Sequence, residues 1–360
     1  MKIVVIDVAA ESGGALTILR SFYDYAVKNG GAHSWVFLLS GGYIAPAPNI
    51  EVHTMPDIKK NWLARIRWEL FEAGRLVRLL HPDAVFSLQN LTVFGLRGIP
   101  QYIYMHQVLP FQTEKRFSPF RRSERVFALY QRLYRPLISR SVRASRGVFV
   151  QGDFTRRILV SRHRHDAAKI YLAPPPLAGL PVKKAEYAPE SSVGCRRFLY
   201  PASGAVYKNH ACITEAVWML AGRGYRDFRV VFTLPREAAV RSLPQIEYAG
   251  HIEPGRLYEM YADSVLVFPS YIESYGMPLA EAMQAGAVIF AAGCDYAREL
   301  LAGYPNAYFF DPFRPAGLAS LMAELLDGRI TYHAVGPRPQ PNGWETVLRV
   351  ITGGKGGPGQ

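Results

Sequence analysis

FPSYIESYGMPLAEAMQAG, residues 268–286, reads as the end of a strand, a loop and a short helix. The run 265–268 (Val-Leu-Val-Phe) is apolar and largely β-branched, as a strand buried on both faces must be. Pro269, Ser270, Ser274 and Gly276 break it. Pro278 suits the first turn of a helix, where its missing N–H costs nothing. Leu279, Ala280, Ala282, Met283 and Ala285 carry that helix on, and Gly286 fits a left-handed C′ position. Another apolar run, 287–290, follows as a strand. Glu281 is therefore expected in the first turn of the helix, and Glu273 in a loop at the carboxyl edge of a parallel sheet. Open α/β sheets bind ligands at that edge. Helix N–H groups favour an anion there, and carboxylates accept hydrogen bonds from hydroxyls. The chemistry suggested is that of a phosphorylated ligand rich in hydroxyl groups.

Working outward, the pattern repeats. Apolar strands at 3–6, 35–39, 84–87, 101–105 and 147–150 alternate with helical stretches in the first half. A second series runs through 197–200, 229–233, 247–249, 265–268, 287–290 and 307–309. Between them Pro174-Pro175-Pro176 and a polar segment up to Cys195 make a stiff linker. The expected architecture is α/β, with two Rossmann-like domains facing across a cleft. Their boundaries fall at 1–173 and 174–340, with a terminal helix (344–351) and a disordered tail completing 341–360.

Composition narrows the class. Of 360 residues 49% are apolar and 20% charged, so the chain has the make-up of a folded globular protein. Cys195, Cys212 and Cys294 lack metal-ligand or disulfide spacing and read as buried thiols of a reducing compartment. Met1 leads straight into a strand, and no run of about 18 apolar residues occurs, so a cytoplasmic protein without a membrane span is expected. The net charge of +13 is concentrated. Lys115 to Arg146 holds ten Lys or Arg against Glu124 alone, interleaved with Phe117, Phe120, Phe127, Tyr130 and Tyr134. Arg65, Arg67, Arg75 and Arg78 stand beside Trp62, Trp68 and Phe71 in a second basic stretch. A solvated basic face, nucleic acid and an anionic membrane surface each account for such a pattern. No nucleic-acid-binding signature accompanies it, which favours the membrane, peripherally at its inner face, over nucleic acid.

Other motifs lie at strand ends. Ser12-Gly13-Gly14-Ala15 follows the first strand; it is not G-x-G-x-x-G, and it reads equally as a tight turn or as a backbone approach to a ligand. Lys208-Asn209-His210 follows the first strand of the second series and precedes a helix, where a cation suits a diphosphate, although taken alone it reads as an ordinary exposed lysine. His106 ends the strand 101–105, a place where a lone histidine is as often structural as functional. There is no D-x-D, no metal-ligand spacing, no Walker A loop and no nucleophile elbow.

The E-x7-E block Glu273…Glu281 resembles the signature of GT-B-fold retaining glycosyltransferases of family GT4, the glycosyl transferases group 1. The resemblance covers about residues 2–327, and in the first half it is similar to bacterial O-antigen and capsule polysaccharide transferases. It implies that Glu281 meets the donor ribose and Glu273 the sugar hydroxyls. It also implies that Ser274, Tyr275, Gly276 and Met277 meet sugar and phosphate, that Gly14 lies over the donor phosphates, and that His106 lies near the transferred sugar. Lys208 and Asn209 match the family's diphosphate motif, although the arginine usual before that lysine is missing: Ala202, Ser203 and Ala205 stand there. The implied protein is a metal-independent transferase without a cofactor, using a nucleotide-sugar as co-substrate and a glycan or lipid-linked glycan acceptor, in lipopolysaccharide or related polysaccharide biosynthesis. A GT-B epimerase and a non-catalytic assembly partner are the alternatives.

Overall fold

The computed structural model describes residues 1–59, 61–112, 114–177, 195–238, 241, 243–336, 338–339 and 341–353. Most of the expected polar linker after Pro176 and the tail beyond Gly353 lie outside these residues. The chain divides into two compact units, 1–176 with 341–360, and 177–340.

The first unit holds a parallel sheet of seven strands: β1 (Lys2–Asp7), β2 (Ser34–Leu39), β3 (Ile50–Thr54), β4 (Ala84–Ser87), β5 (Gln101–Met105), β6 (Gly147–Val150) and β7 (Ile170–Leu172), in the order β3-β2-β1-β4-β5-β6-β7. Alternate residues of β1 feed opposite layers, as a strand covered on both faces requires. Ile3 and Val5 join Phe22, Trp35, Phe37 and Phe86 on one side. Val4 and Ile6 join Val36, Leu38, Trp68 and Val77 on the other. Trp68, one of the aromatic residues of the second basic stretch, is thus a core residue. The last helix, Gly343–Ile351, also belongs to this unit. Trp344 is fully buried, 5.2 Å from the Phe22 ring and 4.8 Å from the Tyr104 ring, and its Nε1 donates to Ser21 Oγ at 2.9 Å. Gly343 permits this close approach, since a Cβ there would sit 2.3 Å from the Ala173 carbonyl carbon.

The second unit holds six parallel strands: β8 (Arg197–Tyr200), β9 (Arg229–Phe232), β10 (Ile246–Tyr248), β11 (Val265–Phe268), β12 (Ile289–Ala292) and β13 (Ala307–Phe310), in the order β10-β9-β8-β11-β12-β13. Both sheets thus reverse their order beside their first strand, as doubly wound folds do.

Three departures from the sequence reading have local causes. β3 and β7 are not among the expected strands; both are sheet edges with partly exposed residues, β3 mixing polar and apolar side chains and β7 being only three residues long. β12 begins two residues late, because the Ala287 N–H is spent on Ala282 O, closing the preceding helix, and Gly286 turns the chain at φ +77°. Finally, the basic stretches are helical but not uniformly α: single π turns widen them at Trp68–Glu72 and Tyr130–Tyr134. Among the described residues no helix is long and apolar enough to cross a membrane.

Candidate active site

In the second unit the strand order reverses between β8 and β11, so the loops leaving these two strands open beside each other. They are tied together. The Tyr271 N–H donates to Tyr207 O at 3.1 Å, and the Tyr200 hydroxyl donates to Lys208 O at 2.5 Å. Asn209 takes the left-handed conformation (φ 61°, ψ 40°) just before the helix His210–Gly222, and its Nδ2 donates to Pro312 O at 2.7 Å. A non-glycine residue held there by a side-chain bond fixes the turn and thereby the lysine before it. Lys208 Nζ lies 2.5 Å from Glu273 Oε1. Only 17% of the lysine and 13% of the glutamate side chain is exposed, so solvent screens the pair weakly. The rings of Tyr207 and Phe268 lie 5.6 and 5.9 Å from the ammonium. His210 follows directly; burial, then the charge of Lys208, push its imidazole down to about 4.

The second loop ends at Gly276, whose φ of +91° only glycine adopts cheaply, and the helix Met277–Gln284 starts there with Pro278 in its first turn. Glu281 is therefore the fifth helical residue and sits in the second turn, not the first. The helix dipole acts weakly at that distance. What holds its carboxylate is a partner that spacing does not disclose: the Tyr261 hydroxyl, from the helix Pro254–Ala262, donates to Glu281 Oε2 at 2.9 Å. Burial raises the Glu281 pKa and the Tyr261 bond lowers it, burial having the larger effect. Tyr275 is nearly buried, while Ser274 and Met277 are half-exposed beside Glu273 and the helix start. Lys208, Asn209, Glu273, Ser274, Tyr275, Gly276, Met277 and Glu281 thus share the carboxyl edge of one sheet.

Gly14 and His106 lie at the corresponding edge of the first unit. Gly14 is exposed in the first turn of the helix Gly13–Asn29, after Gly13 at φ +59°. The His106 N–H donates to Asn90 Oδ1 at 3.1 Å, and Asn90 Nδ2 donates to Gln107 O at 2.8 Å. Asn90 is buried and left-handed (φ 63°), so it clamps the start of the loop that carries His106. Burial pushes the His106 imidazole down to about 4, so it is neutral near pH 7.

Residues 232–339 match the family described as glycosyl transferases group 1. The chain carries a group 1 glycosyltransferase domain. The match runs from the end of β9 through both glutamates and starts after Lys208. The whole chain is similar in fold to solved GT-B structures. Sucrose-phosphate synthase from Thermosynechococcus elongatus aligns with a TM-score of 0.68 at 15% identity, over 97% of this chain and 94% of that one. WaaG, a glycosyltransferase involved in lipopolysaccharide biosynthesis, aligns with a TM-score of 0.65 at 13% identity, over 98% and 100%. Anabaena Alr3699/HepE in complex with UDP and glucose gives 0.62 at 12%, over 98% and 100%. No curated protein matches the transferase in sequence.

Proposed function

We propose that this transferase is retaining and metal-independent, and moves a sugar from a nucleotide-sugar to a glycan on a lipid carrier in the synthesis of a bacterial surface polysaccharide. The observation that carries the reading is the Lys208–Glu273 pair at the switch point of the second sheet, flanked by two helix starts. A diphosphate competes with Glu273 for the ammonium. The carboxylate it releases is then able to accept hydrogen bonds from the sugar, while Glu281 takes the ribose hydroxyls. The anomeric carbon–oxygen bond to phosphate breaks as the acceptor oxygen bonds to the same face. The departing phosphate oxygen takes the acceptor's proton, and Lys208 with the helix N–H groups stabilises the charge left behind. No second carboxylate pair is then needed. The fold shared with a protein solved with UDP and glucose supports a nucleotide-sugar donor, and the sequence has no D-x-D to hold a metal for it. On this reading the first unit, with His106, receives the acceptor.

A panel of UDP-, GDP- and dTDP-sugars, ranked by thermal shift and followed by product analysis with EDTA present, tests this. Transfer with retained anomeric configuration and no loss in EDTA is expected. Release of an epimerised sugar would make the protein an epimerase. Donor binding without turnover on any acceptor would make it an assembly partner.

A further inference from the structure

The basic segment 115–146 folds in a way its composition does not reveal. Its one acid, Glu124, turns inward: 5% of its side chain is exposed, and it binds Lys115 Nζ at 2.9 Å and the Ser118 N–H at 2.9 Å. These bonds, first that to Ser118, hold its carboxyl below the usual range despite burial. The outer face is left without an acid. Arg122 precedes the helices, and through Arg125–Leu129, the π turn and Arg135–Ala144 the segment exposes Arg125, Arg132 and Arg140. Interleaved with them are Val126, Leu129, Leu133 and Leu137, exposed by 72, 56, 55 and 40%, at spacings of three, four and four. Phe120, 90% exposed, stands just before.

The second basic stretch lies alongside. Glu69 and Arg65 are near enough to shift the phenols of Tyr130 and Tyr134, and Arg65 and Glu69 pair with each other. From this helical run Ile66, Leu70, Phe71 and Leu79 are exposed, Phe71 by 70%. Of the fourteen large apolar side chains exposed among the described residues, nine belong to these two neighbouring runs. Apolar exposure on this scale is not scattered, and contiguous patches of this kind mark interaction sites.

We infer that the two runs form one monotopic insertion face, whose aliphatic and phenyl groups enter the acyl boundary of an anionic bilayer while the arginines stay at the phosphates. Charge complementarity selects that partner. The first unit holds 27 of the 42 Lys and Arg but only 13 of the 29 Asp and Glu, a net +14. Arginine stems cover apolar surface and keep their guanidinium groups at the headgroups. Charge alone gives an attraction that salt abolishes; the exposed side chains add an apolar grip that salt does not weaken. The inference rests on the membrane-bound acceptor of the proposed function, and it adds where the protein sits and how deeply.

Sedimentation with vesicles of phosphatidylcholine and about 30% phosphatidylglycerol tests it. Wild type should bind at low salt and keep a measurable fraction bound at about 1 M NaCl, where the Debye length is about 3 Å. The triple variant Phe71→Ser, Phe120→Ser, Leu129→Ser, checked for folding by its thermal melt, should bind about tenfold more weakly at low salt and not at all at high salt. Arg121→Glu, Arg122→Glu and Arg125→Glu together should abolish the low-salt gain. Phe120→Trp should shift its emission to the blue on vesicles and be quenched by brominated acyl chains. A triple serine variant that binds like wild type at every salt concentration overturns insertion and leaves an electrostatic contact. Wild type that ignores vesicles even at low salt overturns both, while transfer to a water-soluble acceptor still reads the donor site separately. A concentration-dependent dimer that the serine substitutions dissolve would assign the face to a second copy of the chain instead.

Discussion

Two sheets with the same reversal beside the first strand belong to units of very different charge. The first unit carries a net +14, and the second, with 15 basic and 16 acidic residues, carries −1. Yet the charged pair at a switch point belongs to the nearly neutral unit, where Lys208 meets Glu273. At the corresponding edge of the strongly basic unit stand Gly14, Asn90 and a histidine kept unprotonated by burial, with the buried carboxylate of Asp7 at the end of β1. Many of its arginines lie instead on helices, among them Arg67, Arg75, Arg125, Arg132 and Arg140. On the proposed reading, net charge marks the unit that would meet an anionic surface, while the proposed site for a small anionic ligand rests on one placed cation and helix starts.

The comparison is broken most severely at Lys208 and Glu273. Lys208→Ala should lower kcat/KM for sugar transfer by about 10²–10³, and Glu273→Ala by a similar factor, because each removes a preorganised charge. The double substitution should cost little more than either alone, since the two act as a unit. Wild-type turnover in Lys208→Ala would remove the switch point from the chemistry. Trp344→Ala strikes the other unit. It empties a fully buried site between Phe22 and Tyr104 and should cost about 3–5 kcal/mol in a denaturant melt. An unchanged midpoint would deny that the last helix is part of the first unit's core.

A smaller effect sharpens the donor side. Tyr261→Phe removes a hydrogen bond worth about 0.5–1.5 kcal/mol and moves the Glu281 pKa further up. Calorimetry should show weaker nucleotide-sugar binding whose loss on acidification begins at higher pH than in wild type. Identical affinity and pH profile would free Glu281 from its tyrosine.

The mildest test compares one histidine in each unit. His106 and His210 are both held near 4, below the ordinary value of 6.5. The unfolded chain thus takes up protons that the folded chain refuses. Stability from these sites is complete above about pH 6.5 and is lost as pH falls toward about 4. Melts across that window should fall more steeply for wild type than for His106→Asn or His210→Asn. Equal slopes would show that neither imidazole is withdrawn from water.

Much of this architecture is legible because strands buried on both faces must be apolar throughout. Val265–Phe268 and Gly147–Val150 announce themselves, whereas the half-wet edge strand Ile50–Thr54 carries polar residues and the edge strand Ile170–Leu172 is too short to stand out. Glu273, Glu281, Lys208 and Asn209 stand out because loops at strand ends and helix starts have local residue preferences: a proline in the first helical turn, a glycine where φ is positive. Tyr261 carries no such mark, for its bond to Glu281 spans twenty residues and two helices.

By itself, then, the sequence determined the two βα series, the placement of the site residues at strand ends, and the concentration of charge, since each follows from local pattern and composition. Only the tertiary structure decided that Lys208 and Glu273, 65 residues apart, touch, that Glu281 sits one turn deeper than expected, and that Glu124 turns inward while Phe120 and Leu129 face out. Burial and pairing depend on which elements pack against each other. A residue's type does not disclose its neighbours across a sheet.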